Sequence, residues 1–496
     1  MTLGELLAQL EAIEWRGDPA RPIAQVVYDS RKVQPDSLFV AIRGQVTDGN
    51  RFVEAARRKG AAVIVSEMPP QDDGAWIRVA DAREALAVLS SAIQGQPANA
   101  LSLVGVTGTN GKTTTAFLID AALRAAGVTT GLIGTVQYRI GERVLDATRT
   151  TPESADLHAL FREMVAVGCR AAVLEVSSHS LALKRVFGCP FRVAVFTNLT
   201  RDHLDFHGDM ESYFAAKRTF FEQNLRADGT AVLNADDDRS SQLAASTRAR
   251  VWTYSLTRRA DFVAEDLTLS LDGTRFKART PVGVFEIASP LLGNFNVENL
   301  LAALAAVLAL DVRPDDAVRG LTSVSGVPGR LERVQAGQDF TVIVDYAHTD
   351  DALKKLLETV RQLRPRRLIT VFGCGGDRDR TKRPLMGAVA ARLSDVVIVT
   401  SDNPRSEPPE AIIEEIQLGM NGGRKSGRLA IVDRREAIRC ALDMAGAQDA
   451  VVIAGKGHET VQVLRDRTVP FDDRQVVREL LGERGAGADT KGPGPQ

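Results

Sequence analysis

Cysteine is scarce in this chain: Cys169, Cys189, Cys374 and Cys440 are the four among 496 residues, all beside apolar stretches and none at the paired spacing of a zinc site. That excludes a disulfide framework and leaves reduced thiols acting as small core residues, as in a reducing cytoplasm. Long apolar runs are missing too. No stretch approaches the roughly 20 residues that cross a bilayer, and the opening MTLGELLAQLEAIEW carries acidic residues where a secretory signal carries basic ones. Charge of one sign is also lacking. The 62 Lys and Arg and 63 Asp and Glu leave a formal net charge of -1, so nothing draws the chain in bulk to nucleic acid or acidic lipid. A cytoplasmic monomer acting on small molecules, without a membrane span or a nucleic-acid partner, is expected.

What remains is an ordinary globular composition, 44% apolar and 25% charged, in a chain too long for one core. At about 100 to 200 residues per domain, the length predicts three domains. Residues 1–97 read as a mixed α/β unit with strands near Gln25 to Tyr28, Ser37 to Ile42 and Ala61 to Ser66. Residues 98–328 alternate strands and helices, which predicts a parallel α/β sheet whose functional loops gather at the strand C-termini. Residues 329–482 alternate again, with strands at Thr341 to Asp345, Leu368 to Phe372, Val396 to Thr400, Leu429 to Val432 and Ala450 to Ala454, and predict a Rossmann-like sheet. The Gly-, Ala- and Pro-rich stretch 483–496 is expected to be a disordered tail.

The chain is organised around Val104-Gly-Val-Thr-Gly-Thr-Asn-Gly-Lys-Thr-Thr-Thr115. The apolar run Leu101 to Val106 reads as a buried strand, and a helical pattern opens at Lys112 after a turn holding Gly108 and Gly111. Such a turn points successive N–H groups into one concavity at a positive helix end, which suits a polyphosphate. Lys112 would reach the terminal phosphates, and the Thr113 hydroxyl would ligate Mg2+. The strict P-loop pattern asks for glycine at 106, where Val106 stands, so the loop departs from the common form. An ATP or GTP site is the expectation.

Three of the six histidines, His179, His203 and His207, follow two predicted neighbouring strands, Ala171 to Val176 and Val193 to Asn198. The first of these ends on Glu175, and a buried carboxylate needs a cation or a basic partner. With Glu175 and Thr113, His203 could complete a second Mg2+ position alongside water and phosphate oxygens; alternatively, these histidines cap helices or hydrogen-bond within the core. On the predicted helix Asp209 to Asn224, Lys217 shares the stripe of Tyr213, Phe214, Phe220 and Phe221. It either snorkels to solvent or is a low-pKa amine that reacts or becomes modified. Leu292-Gly-Asn-Phe-Asn-Val-Glu-Asn299 introduces a helix whose asparagines can cap it and also hydrogen-bond an adenine. Gly373-Cys-Gly-Gly376 lacks the third glycine of GxGxxG, Arg378 standing there, which argues against NAD.

The order of these segments resembles the Mur ligases, the ATP-dependent amino-acid ligases that build the peptidoglycan stem peptide. The resemblance covers essentially the whole chain through Asp29-Ser-Arg31, Gly108-Thr-Asn-Gly-Lys-Thr-Thr114, Thr150-Thr-Pro-Glu153, Glu175-Val-Ser-Ser-His179, Thr197-Asn-Leu-Thr-Arg-Asp-His203, Val327-Pro-Gly-Arg330, Asp345-Tyr-Ala-His348 and Gly455-Lys-Gly-His-Glu459. Asp402-Asn-Pro-Arg405 resembles the signature of members that add meso-2,6-diaminopimelate to the γ-carboxylate of D-Glu in UDP-N-acetylmuramoyl-L-Ala-D-Glu. The fold implied is an N-terminal UDP-sugar-binding domain, a central P-loop-type ATPase domain and a C-terminal Rossmann-like domain for the amino acid.

The resemblance also implies roles. Gly108, Thr109, Asn110, Gly111, Lys112, Thr113 and Thr114 would hold ATP, with Asn296 and Asn299. Ser30, Thr150, Thr151, Ser177 and Arg185 would hold the UDP-sugar peptide, and Arg383, Asp402, Asn403, Pro404, Arg405, Gly455 and Glu459 the incoming amino acid. Lys217 would be the lysine carbamylated in the family, joining Thr113, Glu175 and His203 around Mg2+. Lys112, Lys217, His203, Arg330 and His348 would be the catalytic set. Thr349-Asp-Asp351 departs from the usual Thr-Pro-Asp, which affects a loop turn more than the chemistry. Addition of L-lysine or L-ornithine is the alternative specificity. Folylpolyglutamate synthetase, a related ligase, would not carry the N-terminal unit or Asp402 to Arg405, and a GTPase switch would show an Asn-Lys-x-Asp that is absent here.

Overall fold

A computed structural model describes residues 1–44, 47–270, 273–422 and 427–489. The first unit is a five-stranded sheet, in the order Ala12–Arg16, Trp76–Val79, Ala61–Ser66, Ser37–Val40, Gln25–Val27, parallel except for its first strand. Ala61–Ser66 is buried along its whole length, as a near-continuous apolar run in a covered parallel sheet must be. The strands Ala12–Arg16 and Trp76–Val79 and the helix Ala82–Ile93 add to the elements expected from the sequence.

Eleven strands form the central sheet among the described residues. Ser102–Thr107 lies in its middle, paired in parallel with Ala171–Glu175 on one side and Phe191–Phe196 on the other. The chain runs from this strand to Thr130–Ile133 on one side and later from Ala171–Glu175 across it to Phe191–Phe196 on the other, a reversal of the kind where α/β sheets bind ligands. The parallel expectation needs a correction at both edges. Phe262–Ser270, Gly273–Thr280 and Gly283–Ser289 form an antiparallel meander, and Gln137–Ile140 and Arg143–Asp146 an antiparallel hairpin. The reason is a period-two pattern: in Gly273–Thr280, Thr274, Phe276 and Ala278 are buried while Arg275, Lys277 and Arg279 are exposed, so one face stays wet and no covering helix is required.

The helix Asn294–Leu308 is apolar nearly all round and buries twelve residues, so it forms an interior layer. Leu300, Leu301 and Leu304 are fully covered, each contributing roughly 1.5–3 kcal/mol. It packs beside the helix Lys112–Ala125 and so brings its first turns next to the glycine loop. The expected helix from Asp209 to Asn224 is α-helical over Met210–Thr219 and a π-turn over Phe220–Asn224, with Phe220 and Phe221 buried.

The third unit is a six-stranded sheet in the order Glu332–Arg333, Thr341–Asp345, Ala450–Ala454, Leu368–Phe372, Val396–Val399, Arg428–Ala430. All but the first are parallel, so the loops after Phe372, Val399 and Ala454 share one edge. The last helix runs Asp473–Asp489, so the disordered tail expected from residue 483 needs a correction: residues 483–489 continue the helix. Residues 490–496 lie outside the described residues. No described helix is long and apolar enough to cross a membrane.

Candidate active site

The glycine loop follows the strand Ser102–Thr107 and ends on the helix Lys112–Ala125. Gly108 sits at φ +145, and a Cβ there would fall 1.8 Å from Thr197 Oγ1. Only glycine fits. Lys112 folds back so that its Nζ donates to the carbonyls of Gly108 and Thr109 at 3.0 and 2.8 Å. Lys217 is 1% exposed, and its Nζ donates to the same Gly108 carbonyl at 2.9 Å. It therefore does not snorkel to solvent. Burial, and next the field of Lys112, push its pKa well below that of an ordinary lysine; burial likewise lowers that of Lys112. Two amines crowd one acceptor; Lys112 feels the fields of Glu175 and Asp202 and Lys217 that of Asp202 alone, so Lys217 gives up its proton the more easily.

Thr113 is where two units meet. Its hydroxyl donates to Glu175 Oε2 at 3.0 Å and accepts from Arg330 Nη2 at 3.0 Å. Glu175 also accepts from the Thr135 N–H at 2.8 Å and the Thr135 hydroxyl at 3.0 Å, and Thr135 contacts the Thr150 hydroxyl at 3.0 Å. The guanidinium of Arg330 lies 4.4 Å from the centre of the Tyr346 ring. The next residue, Leu331, has φ 43, a strained conformation for a branched side chain. Asp345 holds it by accepting from its N–H at 2.7 Å. Gly329 packs so closely on the other side that a Cβ would meet His458 N at 2.1 Å.

Asp202 stands between two imidazoles, 3.3 Å from His203 Nε2 and 4.0 Å from His348 Nε2. Burial opposes its charge, but the fields of Lys382 and Lys112 help to hold its pKa below the usual carboxylate value. His203 is itself driven down, to about 3, chiefly by burial. His348 donates Nδ1–H to the Tyr346 carbonyl at 2.9 Å, and burial lowers its pKa; a neutral ring then keeps its lone pair on Nε2. His179 stacks on Phe206 at 4.2 Å and His207 contacts the Ser178 hydroxyl at 3.0 Å.

Lys112, Thr113, Glu175, Asp202, His203, Lys217, Arg330 and His348 line one cavity of about 230 Å³, together with Asn110, Gly111, Thr114, Ser177 and Asn299, whereas His179 and His207 stand outside its lining. The third unit closes it. Arg201 reaches across to Asp350 at 2.7 Å and Asp379 at 3.0 Å, and Asn110 Nδ2 donates to Asp351 at 3.0 Å.

A second cluster lies at the C-terminal edge of the third sheet. Asn403 Nδ2 donates to Glu459 at 2.8 Å, while its Oδ1 accepts from the Val463 N–H and from the fully buried Lys456 at 3.1 Å. Lys456 also binds Glu459 at 2.9 Å. Asp402 accepts from the Asn403 N–H at 2.6 Å, and Gly455 packs against it. Arg405, after Pro404, sits at φ 51 with Nη1 on the Gly376 carbonyl at 2.7 Å. Its Nε and Nη2 make no hydrogen bond to any described residue. Glu407 does not neutralise it, because Glu407 is bonded twice to Arg383 at 2.8 Å.

Several expected residues stand elsewhere. Arg383 is fully buried and pairs with Glu407 and Glu415 through Nη1 and Nη2, while its buried Nε has no partner among the described residues. Arg185 is held by Glu153 and the Thr151 carbonyl, and the Thr151 hydroxyl donates to the Glu175 carbonyl at 2.7 Å. Ser30 is apart from the cavity, on the turn Ser30–Lys32, near where Tyr28 and Lys32 meet Asp156. Asn296 lies behind Asn299, donating to the Leu292 carbonyl. Among the described residues no three His, Cys, Asp or Glu side chains converge as a ready metal site. Thr113 and Glu175 adjoin each other, whereas His203 is turned to Asp202 and Lys217 to Gly108.

Comparison with known proteins decides the family. Residues 22–124, 106–307 and 329–457 match profiles described as "Mur ligase family, catalytic domain", "Mur ligase middle domain" and "Mur ligase, glutamate ligase domain". A UDP-N-acetylmuramoyl-L-alanyl-D-glutamate--2,6-diaminopimelate ligase from Solibacter usitatus is 48% identical over 97% of this chain and 98% of its own. The chain belongs to the Mur ligase family. A like-named ligase from Gloeobacter violaceus is 50% identical over 98% of this chain and 99% of its own. The solved structure of a protein of that name superposes with a TM-score of 0.70 at 35% identity, covering 98% and 99% of the two chains.

In this Mur ligase some site residues escape sequence reasoning. Thr135 follows the strand Thr130–Ile133 without a motif, and only the pairing of that strand beside Ala171–Glu175 brings it to Glu175. Asp202 and Lys456 lie inside recognised motifs, but the distances that give them partners span separate segments.

Proposed function

We propose that this ligase uses ATP to join meso-2,6-diaminopimelate to the γ-carboxylate of D-Glu in UDP-N-acetylmuramoyl-L-Ala-D-Glu. The observation that carries the reading is the meeting of Lys112, Glu175 and Arg330 around Thr113, in one cavity closed by the third unit. A phosphate-cradling loop that needs a second unit to complete it suits a two-substrate reaction better than a nucleotide switch.

The substrate carboxylate attacks the γ-phosphorus and the bond to the departing ADP breaks, leaving an acyl phosphate. Lys112 and Arg330 offer N–H groups to the charge spread over the transferring group. The amine of diaminopimelate then attacks the carbonyl carbon, a tetrahedral intermediate collapses, and the C–O bond to phosphate breaks. Neutral His348 is the base at hand for the amine's proton. Closure held by Arg201 keeps water from the acyl phosphate. Thr113 and Glu175 fit Mg2+, which takes one or two protein oxygens and completes its shell with phosphate and water; bound there, it would neutralise phosphate charge. Lys217, buried and with its pKa pushed well down, takes up CO2 through the lone pair of its deprotonated amine and gives one proton to solvent to form a carbamate, an anion beside Lys112.

Arg405 presents a free N–H edge for the distal carboxylate that diaminopimelate has and lysine lacks. The test is ADP release with the UDP-dipeptide and diaminopimelate, lysine or ornithine. Diaminopimelate should be the strong substrate; preference for lysine or ornithine overturns the specificity, and release with none of the three overturns the ligase reading.

A further inference from the structure

The cluster at the edge of the third sheet contains a lysine that the ligation chemistry leaves unexplained. Lys456 follows the strand Ala450–Ala454 between two glycines of positive φ, Gly455 at +115 and Gly457 at +55, and this short stretch is pressed between Asp402 and Tyr346. Its side chain turns inward and is fully buried. An ammonium has three protons to give and no lone pair. All three are taken: Nζ donates to Glu459 Oε2 at 2.9 Å, to Asn403 Oδ1 at 3.1 Å and to the Val461 carbonyl at 2.6 Å. Nothing is left for a substrate, so Lys456 acts through the groups it holds.

Two of those groups are the side chains of Asn403 and Glu459. Asn403 Oδ1 accepts from Lys456 and from the Val463 N–H at 2.9 Å, which turns its Nδ2 to Glu459 Oε2 at 2.8 Å. The reversed amide would set donors against donors at both Lys456 and Val463, so the lysine fixes which end of Asn403 faces Glu459. Glu459 Oε2 then carries two hydrogen bonds, from Asn403 and Lys456, while Oε1 has none with any described residue. The Glu459 side chain is 28% exposed beside a lysine that is wholly covered. One of its oxygens is anchored and the other is unclaimed. Arg405, with its own unclaimed N–H edge, lies within the field of this carboxylate.

We infer that Lys456 is a positioning residue of the amino-acid site: by anchoring Glu459 Oε2 and orienting the Asn403 amide, it aims Glu459 Oε1 at the distal amino group of diaminopimelate. The inference rests on the proposed use of that substrate. Its distal carbon carries a carboxylate and an ammonium together, and an open N–H edge beside an open carboxylate oxygen matches the pair. Without Lys456 the Glu459 carboxylate keeps its charge but loses the contact that holds its rotamer. Each binding event must then order it again, at a cost in affinity for the amine.

Steady-state ADP release by the full-length enzyme, with diaminopimelate compared against 2-aminopimelate, tests this. The second compound keeps the reacting end and the distal carboxylate and lacks only the distal amine. Lys456→Met should raise the Michaelis constant for diaminopimelate at least about tenfold, the scale of one hydrogen bond to a charged group. The constants for 2-aminopimelate and ATP, and the turnover number, should stay within a few-fold. Lys456→Gln fills most of the same space without the charge and carries the same expectation, which decides the matter where Lys456→Met melts early. Placed on Glu459→Gln, where no buried charge is left unmatched, Lys456→Met should cost diaminopimelate nothing further. Equal losses for the two amino acids, no loss for diaminopimelate, or a full further loss on Glu459→Gln overturns the inference, as does a wild type that does not discriminate between them. A wild type that uses neither amino acid is a different result, and it removes the diaminopimelate reading itself.

Discussion

Replacing Arg405 by lysine keeps a positive charge near Gly376 but takes away the planar fork. In the structure Nη1 is committed to the Gly376 carbonyl at 2.7 Å, which leaves Nε and Nη2 as an edge able to donate two parallel bonds to a carboxylate. A lysine ammonium can supply one of these at most. Losing one bond to a charged group costs about 1.5–3 kcal/mol, a rise of about 10- to 150-fold in the Michaelis constant for diaminopimelate. The turnover number and the Michaelis constant for ATP should stay within a few-fold, because Arg405 is absent from the cavity that holds Lys112 and Arg330. A coupled assay of ADP release, run with diaminopimelate varied against saturating ATP and UDP-dipeptide, measures all three. Thermal melting of the variant guards against misfolding, since Arg405 sits at φ 51. An unchanged Michaelis constant for diaminopimelate in a well-folded variant would show that the free edge of Arg405 faces something other than the distal carboxylate.

Lys112→Ala should lose ligation by on the order of 10²-fold or more without a change in melting temperature; near-normal turnover would move the phosphate site. Lys217→Ala should be inactive and partly rescued by formate or acetate, and wild type equilibrated with 13C-bicarbonate should show a carbamate resonance that the variant lacks. An active Lys217→Ala enzyme without that resonance ends the carbamate proposal. His158 is buried against Phe161 with both ring nitrogens unpaired, and burial lowers its pKa to about 4. The unfolded chain therefore takes up this proton first, and the associated stability, complete above about pH 6.5, is lost as pH falls toward 4. The loss is about 2 kcal/mol by pH 5. His158→Leu should flatten that acid-side fall in melting temperature relative to wild type, and an identical pH profile would contradict it.

Features that were legible in the sequence are local ones. The run from Val104 to Thr115 declares strand, loop and helix by apolar order and glycine spacing, and the strands Thr341–Asp345, Leu368–Phe372 and Ala450–Ala454 are short apolar runs between polar turns. Features set by distant partners were harder to read. Nothing near Arg383 tells that its guanidinium goes to Glu407 and Glu415, and nothing near Arg405 tells that it is thereby left free. The contact of Arg330 with Thr113 exists because one unit docks on another. The strand Gly273–Thr280 alternates in burial, a pattern hidden by the expectation that strands and helices would keep alternating.

The central claim is that the carboxylate is activated by direct attack on the γ-phosphate in the Lys112 cavity before the amine arrives. Synthesis with UDP-dipeptide carrying 18O in the D-Glu γ-carboxylate tests it most directly, by mass spectrometry of the released inorganic phosphate. An acyl phosphate predicts one 18O in each phosphate formed, in a reaction that needs ATP, the dipeptide and diaminopimelate together. Phosphate free of 18O, with the tripeptide product still made, would contradict the account.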